Sequence, residues 1–238
     1  MKEIFADKRS RRAFKDRMAD RLLVLAPLMV YAVIYVKWFN YLEARRSLHY
    51  TVIHTVIDDM IPFAEIFVIP YFAWFIYVSY TILYFLLRYD IEEYMRLSVF
   101  LCTGMTVFLV VSTFWPNMQD LRPVVMPRDN IFCDIVARLY MTDTPTNIWP
   151  SIHVYNSIGA HIAIARSNRF GRGFKRASFV ISALIIMSTM FIKQHSVFDV
   201  IGAFLMAVIV YVFAYRSEFM EVLTKTRRAF AVTYNREA

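Results

Sequence analysis

The sequence predicts an all-α fold: a polytopic membrane bundle with about six transmembrane spans and short interfacial helices in its outer loops. Of 238 residues, 58% are hydrophobic and 17% aromatic. These residues come in blocks, not at amphipathic spacing. Six blocks approach the roughly 20 residues that a helix needs to cross a hydrocarbon core. They fall near 22–40, 62–87, 94–115, 150–167, 177–195 and 197–215. The second carries Pro70, which predicts a kink or tilt there. The fourth is the least apolar, since it holds Asn156 and His161.

Charge gives the orientation. Residues 1–21 form a basic segment with no cleavable signal, 22–215 a single membrane domain, and 216–238 a basic tail. With six spans, twenty Lys and Arg fall on the side of the termini and seven on the other. The positive-inside rule then places both termini in the cytoplasm of a cell-membrane protein. Trp38, Trp115 and Trp149 sit at the outer boundary, where an aromatic belt belongs. The net charge of +8 is thereby explained without nucleic acid. Cys102 in mid-span and Cys133 in a loop lie at depths that make a disulfide unexpected.

Both long outer loops read as ordered. In 116–149, Ile131, Phe132, Ile135, Val136, Leu139 and Tyr140 recur at helical spacing, which predicts a short surface helix that packs over the bundle or serves as a lid. The loop 41–61 mixes Arg45, His49, His54, Asp58 and Asp59 with apolar residues and reads as a structural interfacial segment.

Two strings at the outer ends of spans carry chemistry: Pro150-Ser151-Ile152-His153 and His195-Ser196-Val197-Phe198-Asp199. Ionisable groups there are costly unless paired or used. His195 and Asp199 stand four apart, on one face of a helix, so the carboxylate holds the imidazole in one tautomer and activates it. His153 has no such partner and reads as a general acid. Pro150 suits a helix first turn, leaving the amides of Ser151, Ile152 and His153 free for an anion. Arg122 and Arg128 follow the third span and supply guanidinium groups for phosphoryl oxygens. This inventory fits phosphoryl transfer better than acyl transfer, because no serine has a histidine base of its own. His161 matches no motif and reads as a helix-to-helix hydrogen bond.

In order and position, Arg122-Pro123, Pro150-Ser151-Ile152-His153 and the run from Ser188 through His195 to Asp199 resemble the three-part signature of the type 2 phosphatidic acid phosphatase superfamily. The resemblance covers residues 115–203. It implies an enzyme that needs no metal or cofactor and acts on a membrane lipid phosphate or polyprenyl diphosphate at the outer leaflet. His195 would attack phosphorus and form a phosphohistidine, Asp199 would orient it, and His153 would protonate the leaving group and later activate water. Arg122 and Ser151 would bind the phosphoryl oxygens. Three positions depart from the pattern: Trp115 replaces a lysine, Ile152 a glycine and Thr189 an arginine. Lys193 and Arg128 are the expected substitutes for the missing cations. The Pro-Ser-aliphatic-His form is also similar to the inositol phosphorylceramide synthase branch, whose members pass the head group to a lipid alcohol. A transporter, or a zinc site built from His153, His195 and Asp199, is the remaining alternative.

Overall fold

The computed structural model describes residues 2–45, 49–88 and 90–217, with the backbone alone over 2–20. The expected C-terminal tail therefore lies almost wholly outside the described residues. Helix α1 runs Lys2–Glu43, α2 Val56–Met60, α3 Val68–Leu87, α4 Ile91–Phe114, α5 Ile131–Thr142, α6 Ile152–Arg166, α7 Arg172–Phe191 and α8 Val197–Arg216. A 3-10 turn at Glu65–Phe67 leads into α3, and two-residue strands β1 (Thr51–Val52) and β2 (Asn117–Met118) pair in parallel.

Among the described residues, five helical segments are long and apolar enough to cross a membrane: Arg21–Glu43, Glu65–Leu87, Ile91–Phe114, Arg172–Phe191 and Val197–Arg216. The basic segment and the first span form one continuous helix, since the Lys, Arg, Glu and Ala residues of the former are good helix formers. Pro70 lies in the first turn of α3, where its missing N–H costs nothing.

The block expected as a fourth span is α6, with 15 residues. At 1.5 Å per residue it reaches about 22 Å, short of the roughly 30 Å hydrocarbon core. It is the central helix of the bundle, packed against α3, α4, α7 and α8. That position explains its composition. Surrounded by protein, it needs small residues for close approach and tolerates polar ones with partners. His161 Nδ1 pairs with Ser178 Oγ on α7 at 3.0 Å, the helix-to-helix bond that the sequence predicts. Tyr155 stacks on Phe100 of α4 at 4.5 Å and donates its hydroxyl to the Phe100 carbonyl at 2.7 Å. Gly104 makes room for that ring: a Cβ there would lie 2.1 Å from Tyr155 Cε1.

Beyond the ends of α4, α6 and α7, the segments that carry β1 and β2 interlock. Asn117 is fully buried; its Oδ1 accepts the amides of Ile148 and Trp149, which fixes the approach to α6. Arg45 donates to the carbonyls of Ser112 and Thr113 and so caps the C-terminus of α4. The surface helix expected near 131–140 is α5, whose N-cap Asn130 accepts the amides of Phe132 and Cys133. The loop expected as a plain interfacial segment becomes a strap of β1, α2 and the 3-10 turn. His54 ties it down, with Nδ1 2.7 Å from Asp120 and Nε2 2.8 Å from Asp59.

Both nitrogens of His54 donate only when the ring is protonated, and the bonds to Asp59 and Asp120 raise its pKa above the usual 6.5. A raised pKa means that this tether is fully present below the usual value and is lost as pH rises through the folded one. Amide exchange in 53–60, corrected for intrinsic base catalysis, is expected to accelerate at alkaline pH in the wild type and to be insensitive in His54→Asn. Identical pH profiles for the two proteins would dismiss the tether.

Candidate active site

The turn between α7 and α8 builds the centre of the site. Lys193 N–H donates to the Met190 carbonyl and Gln194 N–H to the Thr189 carbonyl, a Schellman ending with Lys193 in the left-handed region at φ 53. Helix α7 therefore stops at Phe191, four residues before the expected end. His195 follows the turn, and Ser196 is the N-cap of α8. The histidine and Asp199 thus do not share a helix face. Asp199 is the third residue of α8 and folds back as a capping box, its Oδ2 accepting the Ser196 amide at 2.8 Å and lying 3.3 Å from His195 Nδ1. The pairing expected from the spacing is present, by a different geometry, and it leaves Nε2 as the nitrogen available for chemistry.

His153 lies in the first turn of α6, its ring centroid 5.9 Å from that of His195. Tyr71 and Trp74 of α3 flank its ring at 4.6 and 4.5 Å. The Ser151 amide donates to the Asp199 carbonyl at 3.3 Å, which joins the start of α6 to the first turn of α8.

Between the two histidines and the 143–148 segment lies a cleft of about 50 Å³. One side is polar, with Asp143, Thr144, Asn147 and Gln194, and the other apolar, with Phe39, Phe108 and Ile152. A cavity needs about 10–15 Å³ of such space to hold one water, so the interior has room for a small polar group. Around this region His153 Nδ1, Asn147 Oδ1, Asp199 Oδ1 and Arg122 Nε are buried without hydrogen-bond partners. Unpaired buried polar atoms are rare, and a cluster of them marks a place for a polar ligand.

The expected phosphate binders fare differently. Arg122 is close but does not line the cleft: it stacks on Tyr140 at 4.4 Å and donates to the carbonyls of Tyr140 and Asp143 and to Gln194 Oε1. Gln194 stands between Arg122 and the cleft, so the guanidinium meets a ligand only when Gln194 turns aside. Ser151 is fully buried as the N-cap of α6, its Oγ accepting the Val154 amide; Pro150 precedes the helix instead of opening it.

Lys193 is turned away. Its left-handed backbone sends Nζ to the carbonyls of Asp58 and Ile61 at 2.7 and 2.6 Å. Arg128 is held by Glu65, with Nε at 2.7 Å and a second nitrogen at 2.8 Å. Neither of these expected replacement cations faces the cleft. Thr189, in place of the arginine, uses its carbonyl to accept the amides of Gln194 and His195.

Several site residues carry no sequence signal of their role. Asp58, on the strap, accepts Ser196 Oγ–H at 2.6 Å, the Val197 amide at 2.8 Å and the Thr55 amide at 2.8 Å. It therefore fills the positive end of α8. Burial opposes ionisation of Asp58, but these donors outweigh it and hold the carboxyl below its usual 3.8. Asp143 behaves oppositely. Burial raises its pKa, and Arg122 and His195 offset part of the rise. Among the described residues no group of three or more His, Cys, Asp and Glu side chains is arranged to hold a metal ion.

Comparison with protein-family models, with curated proteins and with solved structures gives no match.

Proposed function

We propose that this chain is a six-span membrane phosphatase that hydrolyses an amphiphilic phosphate ester at the outer leaflet through a phosphohistidine on His195. One observation carries the proposal: a carboxylate-paired histidine and a second, unpaired histidine face each other across a small cleft with an apolar rim. His195 Nε2 attacks phosphorus while Asp199 stabilises the imidazolium that forms. His153 protonates the leaving alcohol, then takes a proton from the water that releases phosphate. Phe39, Phe108 and Ile152 give the lipid's hydrocarbon a path out of the cleft toward the bilayer.

In this reading α6 is the fourth of six spans. Its short length is tolerated because α3, α4, α7 and α8 pack around most of it. The basic turns 88–96 and 166–176 then face the cytoplasm together with both termini.

A second reading rests on a separate observation. With Lys193 and Arg128 spent elsewhere, Arg122 is the one family-matching cation beside the cleft, and Asp143 and Asp199 stand near it. A phosphomonoester carries about 1.5 to 2 negative charges at neutral pH, whereas a diester carries one. The sparse positive charge favours a diester donor and transfer to a lipid alcohol. Both readings share the first chemical step.

Right-side-out vesicles supplied with a short-chain, impermeant lipid phosphate decide the main reading. Release of phosphate that persists in EDTA and is blocked by vanadate is the expected result. Turnover lost in EDTA and restored by zinc would replace the phosphohistidine with a metal centre. Release of phosphate only after permeabilisation would invert the topology, and head-group transfer only when a lipid alcohol is added would select the transferase.

A further inference from the structure

At the end of the bundle opposite the histidine cleft, α6 and α8 part to form a crevice of about 530 Å³. Ile162 of α6 and Phe204 and Val208 of α8 form its apolar walls, and Arg166 and Arg216 stand at its mouth. Both arginines lie in the last turns of their helices. A crevice of this kind on a membrane-facing surface is filled by hydrocarbon, because an empty one forfeits dispersion contacts along its whole lining.

The guanidinium groups are oriented by tyrosines. Arg166 donates to the Tyr211 hydroxyl at 3.1 Å and lies 5.1 Å from the Tyr215 ring centroid, while Arg216 lies 5.8 Å from that of Tyr211. Stacking of this sort fixes the plane of a guanidinium and leaves edge N–H groups for an anion. Nearby, Arg96 is paired with Glu92 at 3.2 Å, and Glu93 shares the field of Arg166 and Arg96. Among the described residues Asp90 is offset by Arg169 at 2.8 Å, so Arg96, Arg166 and Arg216 against Glu92 and Glu93 leave one net positive charge, which matches a phosphodiester monoanion.

We infer that this crevice binds an anionic phospholipid from the leaflet opposite the histidine cleft, its phosphodiester on Arg166 and Arg216 and one acyl chain between α6 and α8. Basic pockets between membrane helices are suited to such head groups. The inference requires that the helices cross a membrane but not that His195 reacts with phosphate. The lipid would wedge apart the two helices that carry His153 and Asp199 at their other ends, making it a structural partner of the cleft.

The test is the lipid retained by the full chain after reconstitution into bilayers of phosphatidylcholine with phosphatidylglycerol, followed by extraction and native mass spectrometry. Wild type is expected to keep phosphatidylglycerol in preference to phosphatidylcholine. Each basic residue near a membrane surface contributes about 1 kcal/mol toward an anionic lipid, so the double variant Arg166→Gln, Arg216→Gln is expected to lose about thirtyfold of that preference. The double lysine variant should retain most of it. Ile162→Trp fills the crevice without touching charge and should also displace the lipid; it decides the matter if the glutamine variant fails to fold. Equal phosphatidylglycerol retention by wild type and Ile162→Trp, or preference for phosphatidylcholine in wild type, overturns the inference. Since the readout is bound lipid, it is independent of any result on phosphate release.

Discussion

His195→Ala is expected to abolish both turnover and phosphoenzyme formation, a loss of about four orders of magnitude or more, because no other group in the cleft replaces a nucleophile. Acid-labile, base-stable label from a radioactive substrate reports the intermediate directly. Asp199→Asn should retain part of the capping box, since an amide oxygen still accepts the Ser196 N–H, but it removes the negative charge 3.3 Å from Nδ1. Activity should then fall by about 10²- to 10⁴-fold with the fold intact. His153→Ala separates the two histidines by role. If His153 protonates the leaving oxygen, its loss is severe for an alkyl phosphate and mild for a nitrophenyl phosphate, whose leaving group needs no proton. Label recovered in His195→Ala but absent in His153→Ala would exchange the roles and refute the assignment.

Periodicity and blocks of hydropathy make the five long apolar helices and α5 legible, because each of those helices keeps an apolar face exposed at the outside of the bundle. Helix α6 was the weak case for a physical reason. It packs against α3, α4, α7 and α8, so most of its sequence is written by helix contacts, such as the stacking of Tyr155 on Phe100, and by small residues at interfaces. The two histidine motifs meet at one cleft because both sit where helices begin, at the starts of α6 and α8. What spacing could not show was backbone direction. An offset of four was read as one helix face, but His195 precedes the helix and Asp199 reaches back to it. In the same way, proximity in sequence favoured Lys193, yet a left-handed residue sends its side chain away from its neighbours. Tyr71 and Trp74 lie outside any motif, and their positions depend on long-range packing that one sequence does not encode locally.

Asp58 is expected to be the most sensitive residue outside the histidine motifs. It is 2% exposed, and its carboxylate collects the Ser196 hydroxyl, the Val197 amide and the Thr55 amide. The first two belong to the N-terminus of α8, immediately after His195, so the strap fixes where the imidazole stands. Asp58→Ala leaves those donors buried without an acceptor, a cost of about 2–4 kcal/mol. The Lys193 bonds persist, because they use backbone carbonyls of the strap. Asp58→Asn keeps one acceptor oxygen and the shape of the side chain, so it should fold well and separate positioning from stability. If Asp58 positions His195, Asp58→Asn lowers kcat at least tenfold with little change in KM, since the cleft that receives the substrate is untouched; Asp58→Glu, which keeps the charge, should recover part of the loss. A role confined to stability predicts the opposite pattern: a lowered Tm with normal kcat in the folded fraction. That result for Asp58→Asn, measured beside wild type in the same detergent, would remove the strap from the mechanism and leave the capping box of Ser196 and Asp199 to orient the histidine alone.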